Sequence, residues 1–136
     1  MNKVTLTSIA ILLSTVSLAT TAADLKSGIF ELNRGQFKAA MEEFQPLLEE
    51  GYAPAQYQVG LMHKNGWGMR KDLNTAHKLF TLAADQNYPD AQFELALMYT
   101  EGEPVKKDLK KAFELTKLAP KKGLASAQFN LGVMYA

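Results

Sequence analysis

Apolar and polar positions along this chain follow a helical pattern that repeats every 36 residues. The stretch AQYQVGLMH at positions 55–63 returns as AQFELALMY at 91–99 and as AQFNLGVMY at 127–135. Without a gap, 12 of the 32 residues in 55–86 are identical to those in 91–122. Such a period is typical of stacked helical units, each of which must bury its apolar face against a neighbour.

Each repeat is predicted to contain two helices joined by a glycine loop. Apolar and small residues cover more than one face of positions 55–62, which indicates a helix packed between neighbours. The NGWG loop at 65–68 ends this helix, and Asp72 is predicted to cap the next one with its carboxylate. Asn87 is predicted to end the second helix, and Gly123 to end its copy. Pro54 and Pro89 fall in the joints between units.

Small residues and methionines recur at fixed places in the repeat. Glycine inside a helix costs about 1 kcal/mol relative to alanine, so its recurrence predicts that another helix passes too close for a larger side chain. The positions concerned are Gly60, Ala96 and Gly132, with Ala76 and Ala112 interpreted in the same way. The recurring methionines are predicted to fill the core, and they are Met62, Met98 and Met134.

Residues 24–52 resemble a degenerate earlier unit, with Ala40 and Phe44 lying 36 residues before Ala76 and Phe80. The connection at 33–35 is shorter than the later loops. Pro46 falls inside the second predicted helix and should kink it or cut it short. A terminal unit that departs from the pattern is common in repeat proteins.

The first 23 residues differ from the rest and are interpreted as a secretory signal peptide. A positive start, MNK, precedes an uncharged apolar run and the small-residue exit TTAAD. Cleavage is predicted between Ala19 and Ala23, and the alternative is a retained N-terminal anchor. Because the chain has no cysteine, it can form no disulfide and has no residue for lipid attachment at the cleavage point. The expected location is the periplasm or the exterior, with no stable membrane span after cleavage.

The repeated pattern A-x-x-x-L-G-x-x-Y, then G-x-G, D-x-x-x-A and A-A, resembles the Sel-one-like repeat, a relative of the tetratricopeptide repeat. The first full unit carries it at Ala55, Val59, Gly60, His63, Gly66, Gly68, Asp72, Ala76, Ala83 and Ala84. The second carries it at Ala91, Leu95, Ala96, Tyr99, Gly102, Asp108, Ala112 and Ala119. The departures are His63 in the tyrosine position, Pro104 for the second glycine, and Pro120, which is expected to end its helix early.

This resemblance implies an all-α fold, an α-solenoid of stacked antiparallel helix pairs. The repeats are assigned to residues 53–88 and 89–124, with 125–136 as the first helix of an incomplete third repeat. The usual role of such proteins is to hold other proteins together, and exported bacterial members look like adaptors in the cell envelope. A cysteine-rich branch of the family is linked to β-lactam hydrolysis, which the absence of cysteine argues against here.

Candidate chemistry is sparse. The net charge of +1 gives no global basic surplus for nucleic acid. His63 is predicted to pack between helices and His77 to lie on a helix surface, so no metal, cofactor or catalytic site is predicted. NGWG lacks the spacing of a phosphate-binding loop. The chain is therefore predicted not to be an enzyme, and a β-lactam or cell-wall hydrolase on the same scaffold is the alternative.

Five loop residues are candidates for partner contact. Trp67 is replaced by Glu103 in the next repeat, so the fold does not require it, and exposed aromatic residues are enriched at binding hot spots. Matching basic pairs in the two loops predict a basic stripe for an acidic protein segment or an anionic envelope polymer; these residues are Arg70, Lys71, Lys106 and Lys107, extended by Lys110 and Lys111. A solvated face is the simpler interpretation of such charges.

The predicted function is an exported, non-catalytic scaffold that binds a protein or peptide of the cell envelope. The apolar stretch at 127–136 has no second helix after it, which predicts an open end. Three explanations stay open: a fragment of a longer repeat protein with no complete activity alone, an end that docks on another chain, or a helix that frays.

Overall fold

The computed structural model describes residues 21–118, and all regular secondary structure in this range is helical. The predictions for residues 1–20 and 119–136 therefore lie outside the described residues, including most of the signal segment, the helix ends at Pro120 and Gly123, and the third copy. Six helices are present in the described range: α1 (21–33), α2 (Phe37–Glu49), α3 (Ala53–Asn65), α4 (Leu73–Asp85), α5 (Pro89–Glu101) and α6 (Leu109–Leu118).

The chain forms two compact units, divided between Leu47 and Leu48. In the first unit, a short turn with Gly35 at φ 74° joins α1 to α2. Gly28 of α1 faces the ring of Phe44, leaving no room for a Cβ atom. Pro46 does not cut α2 short, because the helix continues to Glu49. The prediction that Pro46 shortens the helix was wrong, because a proline removes one backbone hydrogen bond but does not always end a helix that is otherwise held in place.

In the second unit, each helix packs on the next, α3 on α4, α4 on α5 and α5 on α6. These are the two antiparallel helix pairs of an α-solenoid, as the repeat predicted. Phe80 lies at 0 % exposure among small and aliphatic side chains from α3, α4 and α5. The core members are Ala53, Ala76, Phe80, Ala83, Ala84, Ala91, Leu95 and Met98.

The predicted helix ends have the expected geometry. Helix α3 ends at Asn65, and Gly66 adopts the left-handed conformation with φ 67°. Asp72 caps α4, its carboxylate accepting a hydrogen bond from the Thr75 backbone N–H at 3.0 Å. Asn87 has φ 61° directly after the end of α4. Pro54 and Pro89 lie in the first turns of α3 and α5, where a missing N–H leaves no bond unmade.

The small residues mark a close helix contact, as predicted. A Cβ atom on Gly60 would lie 2.5 Å from Cε1 of Phe80, well inside van der Waals distance. Ala76, Ala96 and Ala112 are fully buried. The two recurring methionines in the described range also fill the core, Met62 at 0 % and Met98 at 3 % exposure. The packing of α3 against α4 therefore depends on the absence of a side chain at Gly60.

Two polar contacts join the first full repeat to its neighbours along the chain. Lys64 Nζ on α3 lies 2.6 Å from Glu94 Oε2 on α5, which links the first helices of consecutive repeats. Gln86 Nε2 donates to Gly51 O and to Gln56 Oε1, both at 2.9 Å.

Within residues 21–118, no helix combines the length and hydrophobicity needed to cross a membrane.

Candidate interaction surface

The two loops that carry the predicted contact residues are closed by equivalent backbone hydrogen bonds. Asp72 N–H donates to His63 O in the first loop, and Asp108 N–H donates to Tyr99 O in the second, both at 2.9 Å. Gly66 and Gly102 both adopt positive φ at the loop entrance. The loops thus share their entrance and their closing bond, but their tips differ, because Gly68 at φ 71° stands where the second loop has a cis peptide bond before Pro104.

The five predicted contact residues are all exposed, but the structure groups only some of them. Trp67 is 37 % exposed in the first loop, and Arg70 and Lys71 are exposed beside it. Lys106 and Lys107 line a depression with Tyr99, Val105, Asp108 and Lys111. Arg70 and Lys71 are not among the residues that line this depression.

Three depressions that share lining residues lie on α4, α5 and α6. The central one has a volume of about 340 Å³ and is lined by Thr81, Ala84, Asp85, Asn87, Gln92, Leu95, Tyr99, Lys111, Leu115 and Leu118. The basic one, of about 440 Å³, shares Tyr99 and Lys111 with it. The third, of about 410 Å³, shares Thr81 and adds His77, Lys78 and Leu82. Because they share lining residues, we treat the three as one surface feature, the α4–α6 groove.

Tyr99 lies where the central and basic parts of the groove meet. The ring of His77, from α4, approaches it edge-on with centroids 6.0 Å apart. Lys111 Nζ, from α6, lies 4.8 Å from the Tyr99 ring centre. A cation over an aromatic face contributes about 0.5–1 kcal/mol at exposed sites. Tyr99 thus links the two walls of the groove through aromatic and cation–π contacts.

His77 is half-buried, whereas it was predicted on the helix surface. That prediction was wrong because α5 brings Tyr99 against the imidazole ring. Burial, with a smaller contribution from the positive charge of Lys111, lowers the pKa of His77 below its ordinary value. The neutral imidazole is therefore favoured, and its buried Nε2 atom has no hydrogen-bond partner. His63, the other histidine, is also half-buried.

Gln92 supplies a second unpartnered polar atom in the groove. Its side chain is 2 % exposed, and its Nε2 donates to Ala84 O at 3.5 Å. Its Oε1 is buried without a partner. The equivalent residue one repeat earlier, Gln56, has its Oε1 satisfied by Gln86. Buried polar atoms are nearly always hydrogen-bonded, so this oxygen in the groove wall has an unused capacity to accept a hydrogen bond.

The chemistry of the described surface is suited to binding. Across residues 21–118, no three His, Cys, Asp or Glu side chains lie together in a way that could hold a metal ion. The groove combines apolar side chains, lysine charges and two unpartnered polar atoms, which are features of a recognition surface.

Sequence reasoning identified the lysines of the groove but missed the groove itself. Its lining residues come from three helices and share no motif. One signal was present, since Gln92 and Gln56 stand at equal places in the repeat while Gln86 is replaced by Lys122. The second repeat therefore has a lysine, and no side-chain amide, at the position from which Gln86 bonds Gln56.

The chain is similar to a known family of repeat proteins. The model of the Sel1 repeat family matches residues 53–88, 89–124 and 125–136. No curated protein matches this chain.

Two of the solved structures with a similar fold are bacterial proteins. One is a Sel1 repeat protein from Oxalobacter formigenes, with a TM-score of 0.75 and 24 % identity, covering 82 % of this chain. Another is a protective antigen of uropathogenic Escherichia coli strains that displays an SLR fold, with a TM-score of 0.76, 32 % identity and 91 % coverage of this chain. This chain spans 44 % and 28 % of the lengths of those two proteins, respectively.

The recurring small residues, the left-handed loop glycines and the capped second helices are thus shared features of one repeat type. From the match over residues 53–136, the chain belongs to the Sel1 repeat family.

Proposed function

We propose that this chain is an exported, non-catalytic scaffold that binds a protein or peptide of the cell envelope. Sel1 repeats generally mediate protein–protein interactions. The observation that carries the proposal is the α4–α6 groove, which exposes apolar and basic side chains on a helical frame and has unpartnered polar atoms buried in its wall. Stacked repeats suit this role because their helices hold such groups at fixed spacings.

Export is supported by the N-terminal sequence. Residues 1–23 combine a lysine near the start, an uncharged apolar run and a small-residue exit. The Escherichia coli neighbour is a protective antigen, which agrees with a location that the immune system can reach. The proposed location is the periplasm or the exterior.

The test for binding is affinity capture. Protein purified after expression of the full 136-residue chain is immobilised and incubated with envelope extract, and bound proteins are identified by mass spectrometry. A heat-unfolded sample of the same protein is the matched control. We expect one or a few proteins to be retained only by the folded chain. An identical retained set on both samples would contradict the proposal.

Export and the absence of catalysis are tested separately. A reporter enzyme that is active only outside the cytoplasm, fused after Ala136, should be active with the full chain and inactive when residues 2–23 are deleted. Steady turnover of a chromogenic β-lactam by the purified protein would contradict the non-catalytic role and favour the hydrolase alternative.

A further inference from the structure

We infer that the α4–α6 groove binds an extended peptide segment of another protein, in which an acidic side chain lies close to an apolar one. This inference rests on the proposed function and specifies the chemistry of the partner. It follows from three properties of the groove: its unpaired charges, its exposed leucines and its buried acceptors.

The basic end of the groove calls for a carboxylate. Lys106, Lys107 and Lys111 are exposed, and none of them forms an ion pair within residues 21–118. The nearby carboxylate, Asp108, uses its Oδ1 atom to accept the Lys111 backbone N–H at 3.0 Å as a helix cap. Ammonium–carboxylate hydrogen bonds are among the stronger contacts a surface can offer. An acidic side chain of a ligand therefore fits here.

The middle and the flank of the groove call for apolar side chains. Leu95 and Leu115 lie in the central part. Two exposed leucines border it, Leu118 at 46 % and Leu82 at 52 % exposure. Covering such surface contributes roughly 25 cal/mol for each Å² removed from water. An apolar side chain of the ligand would cover these leucines.

The buried acceptors favour an extended ligand over a helical one. Gln92 Oε1 and His77 Nε2 are buried without partners in the part of the chain that the structure covers. A helix uses its own backbone N–H groups internally, whereas an extended peptide presents free N–H groups along its length. Gln92 lines the central part of the groove, so a backbone N–H of an extended ligand can donate to its Oε1 once the amide turns out of the wall. Neutral His77, whose pKa is lowered by burial, can accept at Nε2.

The length of the groove sets the spacing of the motif. Gln92 and Tyr99 lie seven residues apart on α5, which is about 10 Å at 1.5 Å per residue. An extended peptide covers this distance in about three residues, at roughly 3.3 Å each. The acidic and apolar side chains of the ligand should therefore lie within about four residues of each other.

The segments of this chain outside the described range do not carry the required charge. Residues 1–20 and 119–136 contain no aspartate or glutamate, and their charged side chains are Lys3, Lys121 and Lys122. Placed at the basic end, these lysines would repel Lys106, Lys107 and Lys111. An acidic segment of another protein complements these charges and is the proposed occupant.

The experiment selects random decapeptides displayed on phage against the purified chain. A parallel selection uses Lys106→Glu/Lys107→Glu. We expect peptides with Asp or Glu within about four residues of Leu, Ile or Phe to be enriched on the unaltered chain only. No enrichment, or enrichment of peptides without an acidic residue, would overturn the inference.

The selected peptide is then titrated by fluorescence anisotropy against matched variants. Lys106→Glu/Lys107→Glu should weaken its binding by about tenfold or more, whereas Arg70→Glu/Lys71→Glu, the same change in the equivalent loop, should leave it within about twofold. Leu118→Gln should weaken binding by about fivefold, and Leu109→Gln, an equally exposed leucine of α6 outside the groove, should not. Equal effects of the two charge-reversed variants would overturn the inference.

Failure of the inference can be distinguished from failure of the proposed function. If Lys106→Glu/Lys107→Glu retains the same envelope proteins as the unaltered chain, the scaffold function stands but the groove is not its binding site. If the variant abolishes self-association of the unaltered chain in analytical ultracentrifugation, a second copy occupies the groove and the inference is wrong.

Discussion

The two full repeats of the second unit share a backbone plan but bury different residues at the same place. In the first, Gly60 lies against the ring of Phe80, with no space for a Cβ atom. In the second, the same positions hold Ala96 and Thr116, both at 0 % exposure. The first unit uses the glycine–phenylalanine pair again, as Gly28 and Phe44. The comparison indicates that the repeat requires a matched pair of sizes across the helix contact, and no single residue at either position.

Phe80→Ala should break the first repeat more severely than any change at the equivalent position of the second. Removing a fully buried phenylalanine costs about 3–5 kcal/mol, because the transfer energy is lost and a cavity remains. Thr116→Ala removes far fewer atoms and should cost about 1 kcal/mol. Urea unfolding followed by circular dichroism measures both. Equal losses would show that the two positions carry the same share of the packing.

Gly60→Ala tests the size match directly. The new Cβ atom would lie 2.5 Å from Phe80 Cε1, and Phe80 is fully buried and has no free space to move into. Overpacking typically costs about 1–3 kcal/mol, against a gain of about 1 kcal/mol in helix propensity. We expect a net loss of up to about 2 kcal/mol.

The reverse change, Ala96→Gly, is the control and should cost about 1 kcal/mol. Exchanging glycine and alanine should therefore destabilise the protein in both directions. A stability gain from Gly60→Ala in the same urea experiment would refute the size match.

The two capping aspartates offer a finer comparison. Asp72 accepts from the Thr75 backbone N–H and, at 2.6 Å, from the Thr75 hydroxyl, while Asp108 accepts from the Lys111 backbone N–H. Asp72→Ala should lower the melting temperature by about 4 °C and Asp108→Ala by less. Thr75→Val, which keeps the backbone bond, should reduce the difference. Differential scanning calorimetry measures all three, and an equal loss for the two aspartates would contradict the extra role of Thr75.

The smallest expected effect is a pH dependence confined to the first repeat. Burial lowers the pKa of His77 from its ordinary value of 6.5, and its copy in the second repeat is Phe113. As the pH falls below about 6.5, the unfolded chain takes up a proton that the folded chain resists, so stability decreases until the folded pKa is reached. His77→Phe should remove this part of the acid destabilisation. Melting curves between pH 7.5 and pH 5 test it, and an unchanged pH profile would contradict the assignment.

Much of the fold could be predicted because residues with the same structural role recur at equivalent positions of successive repeats. Gly60 and Ala96 predicted a close contact, Asp72 a cap and Asn87 a helix end, and these were confirmed. Each depends on local backbone geometry or on one neighbouring helix. Pro46 was harder to interpret, because whether a helix survives an internal proline depends on the packing around it.

The candidate surface was less predictable for a physical reason. A charged side chain in a loop is visible in sequence, so Lys106 and Lys107 were identified. The burial of His77 and the unpartnered oxygen of Gln92 arise only when α4, α5 and α6 are brought together. No short-range pattern contains that information.

The closing hydrogen bond that the two glycine loops share has a consequence for how such a protein can change over evolution. One loop carries Trp67 and the other Glu103 at the same position, and both keep the hydrogen bond that closes the loop on the preceding helix. A different side chain at this position therefore alters the outer face while the closing hydrogen bond is kept. When a 36-residue unit is duplicated and its loop then varies, the protein can acquire new binding partners and still fold.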